Sequence, residues 1–167
     1  MASLFISLNM GQFSFPRNSA KLDLQSEVRL AMDWIEKDVR QAISWNIADV
    51  LNTPSTTHIK FSLWDWNITT NTWDLSADYI EYSYDGVSGK LTRTIVQGAN
   101  TSTLEFSNLT EAPFYTTYLG QGDPGNTLDA GQLLANNKLI VVIRGQKDVR
   151  GALIPFHLIS EVRIRNG

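Results

Sequence analysis

No cysteine occurs among the 167 residues, which excludes disulfides, thiolate metal sites and a cysteine nucleophile. Histidine is reduced to His58 and His157. Each lies in a run that reads as a strand, and without a third ligand at readable spacing neither supports a metal site. Charge is sparse and nearly balanced, with 19% charged residues and a net charge of −3, so no global positive field draws in nucleic acid. Arg144, Lys147, Arg150, Arg163 and Arg165 gather near the end, but apolar positions interrupt them, and they read as solvated strand faces. At 43% the hydrophobic content is that of a globular chain rather than a disordered one. No repeat of 20 to 50 residues is visible. The apolar opening, Ala2 to Phe15, is shorter than the roughly 20 residues needed to span a bilayer. It has no basic segment before it and no small-residue cleavage site after it, so a secretory signal is a poor fit.

What is present is an order of segments. Leu4, Phe5, Ile6, Leu8, Met10, Phe13 and Phe15 precede the first charge at Arg17, and this stub reads as the distal end of a longer apolar helix that begins before Met1. Pro16 predicts a kink or break, since it removes a donor and crowds the preceding turn. Asn18 or Ser19 could cap a new start after it. An amphipathic helix is then expected from about Leu22 to Val50, because Leu24, Val28, Ala31, Ile35, Val39, Ala42 and Ile43 recur at steps of three and four. Asp33 with Lys37 and Glu36 with Arg40 are acid-then-base pairs that support an exposed helix face.

After Val50 the pattern becomes strand-like. His58–Trp64 alternates, with Ile59, Phe61 and Leu63 on one face. Asp65–Asp74 suggests a hairpin with a polar tip. Asp78–Tyr84 and Lys90–Gln97 form the clearest hairpin, turned by Asp85-Gly-Val-Ser-Gly89. Thr103–Phe106 is a short strand, Leu139–Ile143 a buried central one, and Phe156–Ile164 the last. Gly120 to Gly131 reads as an exposed loop. The sum is one α+β domain, a long N-terminal helix packed on an antiparallel sheet.

Candidate chemistry is thin. Gly120, Gly122 and Gly125 spell G-x-G-x-x-G, but Pro124 removes a donor and no β-α-β unit surrounds them. Asp123, Asn126 and Asp129 offer oxygen donors of the kind calcium takes, at a spacing that does not match the helix-loop-helix calcium motif. Ser88 lacks the G-x-S-x-G context. The expectation is no enzyme, with no catalytic, cofactor or metal residue. Trp64, Trp66 and Trp73 are the candidates for an exposed aromatic contact surface, while Trp34 and Trp45 are expected on the helix, covering the sheet.

Three stretches carry a family likeness: Leu24-Gln-Ser-Glu-Val-Arg-Leu-Ala-Met-Asp-Trp-Ile-Glu-Lys-Asp-Val-Arg-Gln-Ala42, Ile80-Glu-Tyr-Ser-Tyr84 with Leu91-Thr-Arg93, and Ser160-Glu-Val-Arg-Ile-Arg-Asn166. In this order they resemble the first helix, a strand pair and the terminal strand of minor pseudopilins and minor type IV pilins, especially the J-type pseudopilin and W-type minor pilins. The resemblance implies a pilin-like fold, with 1–17 the distal end of the apolar helix and 18–167 one globular domain. It implies a structural subunit without cofactor, anchored in the bacterial inner membrane by a helix that starts before Met1. The head would lie on the periplasmic or extracellular side. The subunit would enter a type IV pilus or a type II secretion pseudopilus, at its tip or in its initiation complex. Leu4, Phe5, Leu8, Phe13, Phe15, Pro16, Leu24 and Val28 would belong to the assembly helix. The partners would be other minor pilins or pseudopilins, with no nucleic acid expected. The alternative is an extracytoplasmic binding module for an exported protein, a surface glycan or DNA.

Overall fold

The structure, a computed structural model, describes residues 2–42, 44–45, 54–67, 69, 71–117 and 127–164; for 2–15, 44, 64–67 and 72–77 it describes the backbone alone. One helix opens the chain: α1, Ala2–Gln41, 40 residues long with Pro16 inside it, about 60 Å at 1.5 Å per residue. Of the kink or break expected at Pro16 the break is not there, and Asn18 and Ser19 lie within the helix rather than capping a new one. Pro16 costs the helix one bond, to the carbonyl of Gln12, and the remaining ladder carries through.

The expected end at Val50 is also corrected. α1 stops at Gln41, and Ser44–Trp45 form a strand, β1. The apolar spacing that suggests helix through this stretch is satisfied differently: Trp45 pairs with Phe61 and its buried ring meets the Phe61 ring edge-on at 5.9 Å. A tertiary aromatic contact thus overrides local periodicity, and residues 46–50 lie outside the described residues.

The strands form two antiparallel sheets rather than one. β2 (His58–Asn67), β3 (Thr72–Asp85), β4 (Lys90–Gln97) and β5 (Asn100–Phe106) follow β1 in a five-stranded meander, ordered β1-β2-β3-β4-β5. β6 (Phe114–Tyr115), β7 (Lys138–Val149) and β8 (Ala152–Arg163) form the second, with β7 central. The segment 107–110 ties them: Leu109 N donates to Gly89 O, and Gln146 N to Asn108 O. Between β6 and β7 the sequence reading missed a short helix, α2 (Ala130–Asn136), capped by the Asp129 carboxylate on Gln132 N. Its one anchor, Leu133, is fully buried.

α1 lies across β7 and β8 and reaches β5. Its stripe Ala20, Leu24, Val28, Ala31, Met32, Ile35 and Val39 is buried, and from Leu24 on, with Ala42 just past the helix end, it meets Ile59, Phe61, Tyr82, Leu91, Leu139, Val141 and Ile143 in one core. The sheet alternation holds as read: Ile59 and Phe61 are fully buried, with Leu63 packed at the margin. Helix and sheet approach closely at Gly145, where an added Cβ would sit 2.8 Å from Leu24 Cδ1 and 3.0 Å from Val28 Cγ2.

The β7–β8 hairpin closes through Arg150 and Gly151, both at positive φ (55° and 78°), as a two-residue turn between paired Val149 and Ala152 requires. Arginine is a poor occupant of that first position. Arg150→Asn is expected to raise unfolding stability by about 0.5–1 kcal/mol; a lower urea midpoint in the variant would contradict this account of the turn.

Candidate functional site

The one buried ionic cluster joins the end of α1 to the five-stranded sheet, among the described residues. Asp38 belongs to the helix's core-facing flank and is 1% exposed. Arg93, on β4, is directed inward at it: Nε donates to Asp38 Oδ2 at 2.5 Å and Nη2 to Oδ1 at 2.9 Å. Tyr82, on the neighbouring strand and opposite Arg93 in register, donates its hydroxyl to Asp38 Oδ2 at 2.6 Å. The Arg93 guanidinium carbon lies 4.3 Å from the Trp34 ring centre, and Lys37 Nζ lies 4.9 Å from the same ring. Both carboxylate oxygens are thus satisfied by donors, as burial of a charge demands.

Burial, and then the Asp38 charge, push the Tyr82 phenol well above its ordinary range. Burial works against the Arg93 charge, but its hydrogen bond to Asp38 and their attraction outweigh this and raise its pKa. Burial also raises Tyr84 and Tyr115. The sign follows from linkage. A raised phenol pKa stabilises the fold fully below the ordinary phenol pKa of about 10, and the contribution is lost as pH climbs from there toward the folded value. Unfolding free energy is therefore expected to fall as pH rises above about 10. Absorbance at 295 nm should show Tyr82 ionising only with unfolding. Full tyrosinate absorbance in a chain that still gives native far-UV dichroism would refute this.

The cluster is a structural pin, with each charge met by its neighbour. Beside it on the outer side of α1, Asp33, Glu36, Lys37, Arg40 and Gln41 line an open depression of about 420 Å³. Glu36 is engaged there by Arg40 at 2.7 Å and by the Ser160 hydroxyl at 2.5 Å. Lys37 turns to Trp34.

The histidines fall apart in space. His58 is buried and its Nε2 lies 2.8 Å from Glu81 Oε1. His157 is exposed on β8. Among the described residues no three His, Cys, Asp or Glu side chains are grouped to hold a metal. Asp129 is occupied as the α2 cap, while Asp123 and Asn126, and Gly120, Gly122 and Gly125, lie outside the described residues. Ser88 bonds to Asp85 at 2.6 Å within its turn. Of the terminal basic residues, Arg144 pairs with Glu111, Lys147 with Asp23 and Arg163 with Glu161, and Arg165 is outside the described set.

The assembly-helix residues Leu4, Phe5, Leu8, Phe13, Phe15 and Pro16 all belong to α1. Leu24 and Val28 are spent against the head, on Gly145. The outward flank of α1 instead shows Leu22 and Leu30. Trp64, Trp66 and Trp73 lie on the part of the β2–β3 hairpin that runs past β4, with Trp66 opposite Trp73 and Trp64 opposite Leu75. Trp45, expected on the helix, is in β1. The pin itself went unread: Asp38, Arg93 and Tyr82 are separated by 55 and 44 positions, and the only local hint was an aspartate on the buried side of a helical stripe.

No known protein family, no curated protein and no solved structure matches this chain.

Proposed function

We propose that this chain is a structural, non-catalytic subunit of pilin type, a minor pilin or pseudopilin that assembles through its long helix while its head tiles the outside of a filament. The observation that carries this reading is α1 itself, one uninterrupted helix of 40 residues. From Ala20 on, its buried stripe packs on the head. The apolar first part, Leu4 to Phe15, is suited to bundling with similar rods, where close helix packing replaces lipid contacts. No described helix is long and apolar enough to cross a membrane, so anchoring in the inner membrane would require apolar sequence upstream of Leu4.

Two tests bear on this. The reading frame upstream of Met1 should encode an apolar run continuous with Leu4 behind a short basic leader; a polar or closed frame overturns the reading. Mixed with candidate sibling minor pilins, the protein should co-elute as a complex in size-exclusion chromatography, and persistent separate elution counts against it.

A binding module on the same scaffold is favoured by one separate observation. The register sets Trp66 opposite Trp73 and Trp64 opposite Leu75, residue types suited to stacking. Binding of glycans or an exported protein that is lost in Trp66→Ala, without any complex with pilins, would select this reading.

A further inference from the structure

Among the described residues β8 is an open sheet edge, and its phase can be read from the backbone. Ile164 N donates to Asn137 O at 3.1 Å, so the even-numbered residues of β8 direct their backbone groups at β7. On β7 the complementary set points away, since Val142 N donates to Pro113 O and Gln146 N to Asn108 O. The odd-numbered residues Leu153, Pro155, His157, Ile159, Glu161 and Arg163 therefore direct theirs outward. Pro155 has no N–H to leave unpaired, the usual place for proline on an edge. Beyond it, from His157 to Arg163, the outward edge is uninterrupted, and it has no strand partner among the described residues. Leu153 and Ile159 are 62% and 39% exposed, so the face of β8 turned away from α1 is open to solvent there.

We infer that this edge pairs with the same edge of a second copy of the chain, antiparallel and centred on Ile159, to join two three-stranded sheets into one. The choice of occupant rests on self-complementarity. With Ile159 opposite its own symmetry mate, His157 of each copy falls opposite Glu161 of the other, twice per dimer. Shifting the centre to Glu161 would set two carboxylates face to face, which is destabilising. In the Ile159 register, Pro155 meets Arg163, and the ladder ends where its donor is missing.

Ile159 stands opposite Val142 on the sheet face away from α1, beside the buried Tyr115–Ile140–Val142 cluster. The mate's Ile159 would extend that apolar strip. α1 packs over β7 and β8 on the other face. With strands about 4.8 Å apart, two helices so placed would lie about 10 Å apart, within helix-packing distance. A dyad normal to the sheet runs the two α1 rods antiparallel. A chain paired this way is held out of any parallel bundle of rods, so this is an off-filament form and does not depend on the pilin reading.

The absence of cysteine makes the register testable, because a paired ladder brings Cα atoms to about 5.5 Å, within disulfide reach. In the full chain under mild oxidation, Ile159→Cys should give a covalent dimer. His157→Cys and Glu161→Cys, each opposite a different residue, should not. In sedimentation equilibrium the unmodified chain should dimerise. Ile159→Pro, which removes an outward N–H and no bond to β7, should be monomeric with native dichroism. If proline unfolds it, the exposed substitutions serve instead: His157→Glu should weaken the dimer and His157→Lys tighten it, each by about tenfold in Kd. A chain that stays monomeric at about 1 mM, equal crosslinking at 157, 159 and 161, or a dimer indifferent to both charge changes would overturn the inference.

Discussion

Asp38→Asn is expected to lower the unfolding free energy by about 3–5 kcal/mol, the cost of leaving one partner of a buried ion pair uncompensated. The substitution keeps size and shape, so the loss is electrostatic. Arg93 remains buried with its charge, and the Tyr82 hydroxyl keeps a weaker acceptor. Tyr82→Phe, which removes one donor and leaves the pair, should cost only about 1–2 kcal/mol. Joint replacement of Asp38 by Leu and Arg93 by Met should recover most of the loss, because a packed apolar pair often matches a buried salt bridge. Urea titrations of the four proteins decide it. A loss below about 1 kcal/mol for Asp38→Asn would mean that water reaches the pair and that it is not a pin.

The pin also has a consequence for the helix as a whole. Asp38 sits three positions before the end of α1, and the fork of Arg93 fixes its direction as well as its distance. On the opposite flank, Glu36 is held by Ser160, and more than two turns earlier Glu27 accepts from Ser107 N at 2.5 Å. These contacts set the rotation of α1 about its axis, and so decide that Leu22 and Leu30, rather than Leu24 and Val28, face outward.

The second large effect is expected at Gly145. Gly145→Val should destabilise the protein by about 2–3 kcal/mol through overpacking, since its Cβ alone would press on Leu24 Cδ1 and Val28 Cγ2. The helix is the movable element, so the strain should appear as a displaced α1 with the β7–β8 hairpin intact. Hydrogen exchange should rise along 20–32 and stay slow in Leu139–Ile143. A compensating Leu24→Ala, added to Gly145→Val, should restore part of the stability, because the two changes share one contact and cannot be additive. If exchange rises uniformly, the helix and sheet unfold as one unit and Gly145 is not the seat of a local approach.

Legibility varied by element for physical reasons. In the hairpin expected from Asp78 to Gln97 the turn and β4 were readable to the residue, because alternation and turn chemistry are local: Asp85 accepts from Val87 N and Ser88 within the turn, and Gly89 at φ 64° closes it; β3 itself starts earlier, at Thr72. The α1 stripe was readable for the same reason, since a period of 3.6 needs only nearby residues. Its ends were not. Whether Pro16 breaks a helix depends on whether the rest of the ladder and its surroundings carry it. Whether Trp45 continues one depends on Phe61, which lies in another strand. α2 was missed because seven residues hold two helical turns, too few to show a period, and because its glycine, Gly131, reads as loop.

By itself, then, the order of residues determined the class of the protein: an α+β chain that starts in a helix and continues in antiparallel strands. It determined which faces of those elements are apolar, and it left no cysteine chemistry to consider. These properties follow from composition and from periods that span a few residues. Only the tertiary structure decided that the strands divide into two sheets, that Asp38 finds Arg93 and Tyr82, that Gly145 lets the helix close on β7, and that β8 is an open edge among the described residues. Each of these joins residues tens of positions apart, and burial, close approach and the direction of a free backbone donor exist only once the chain has come together.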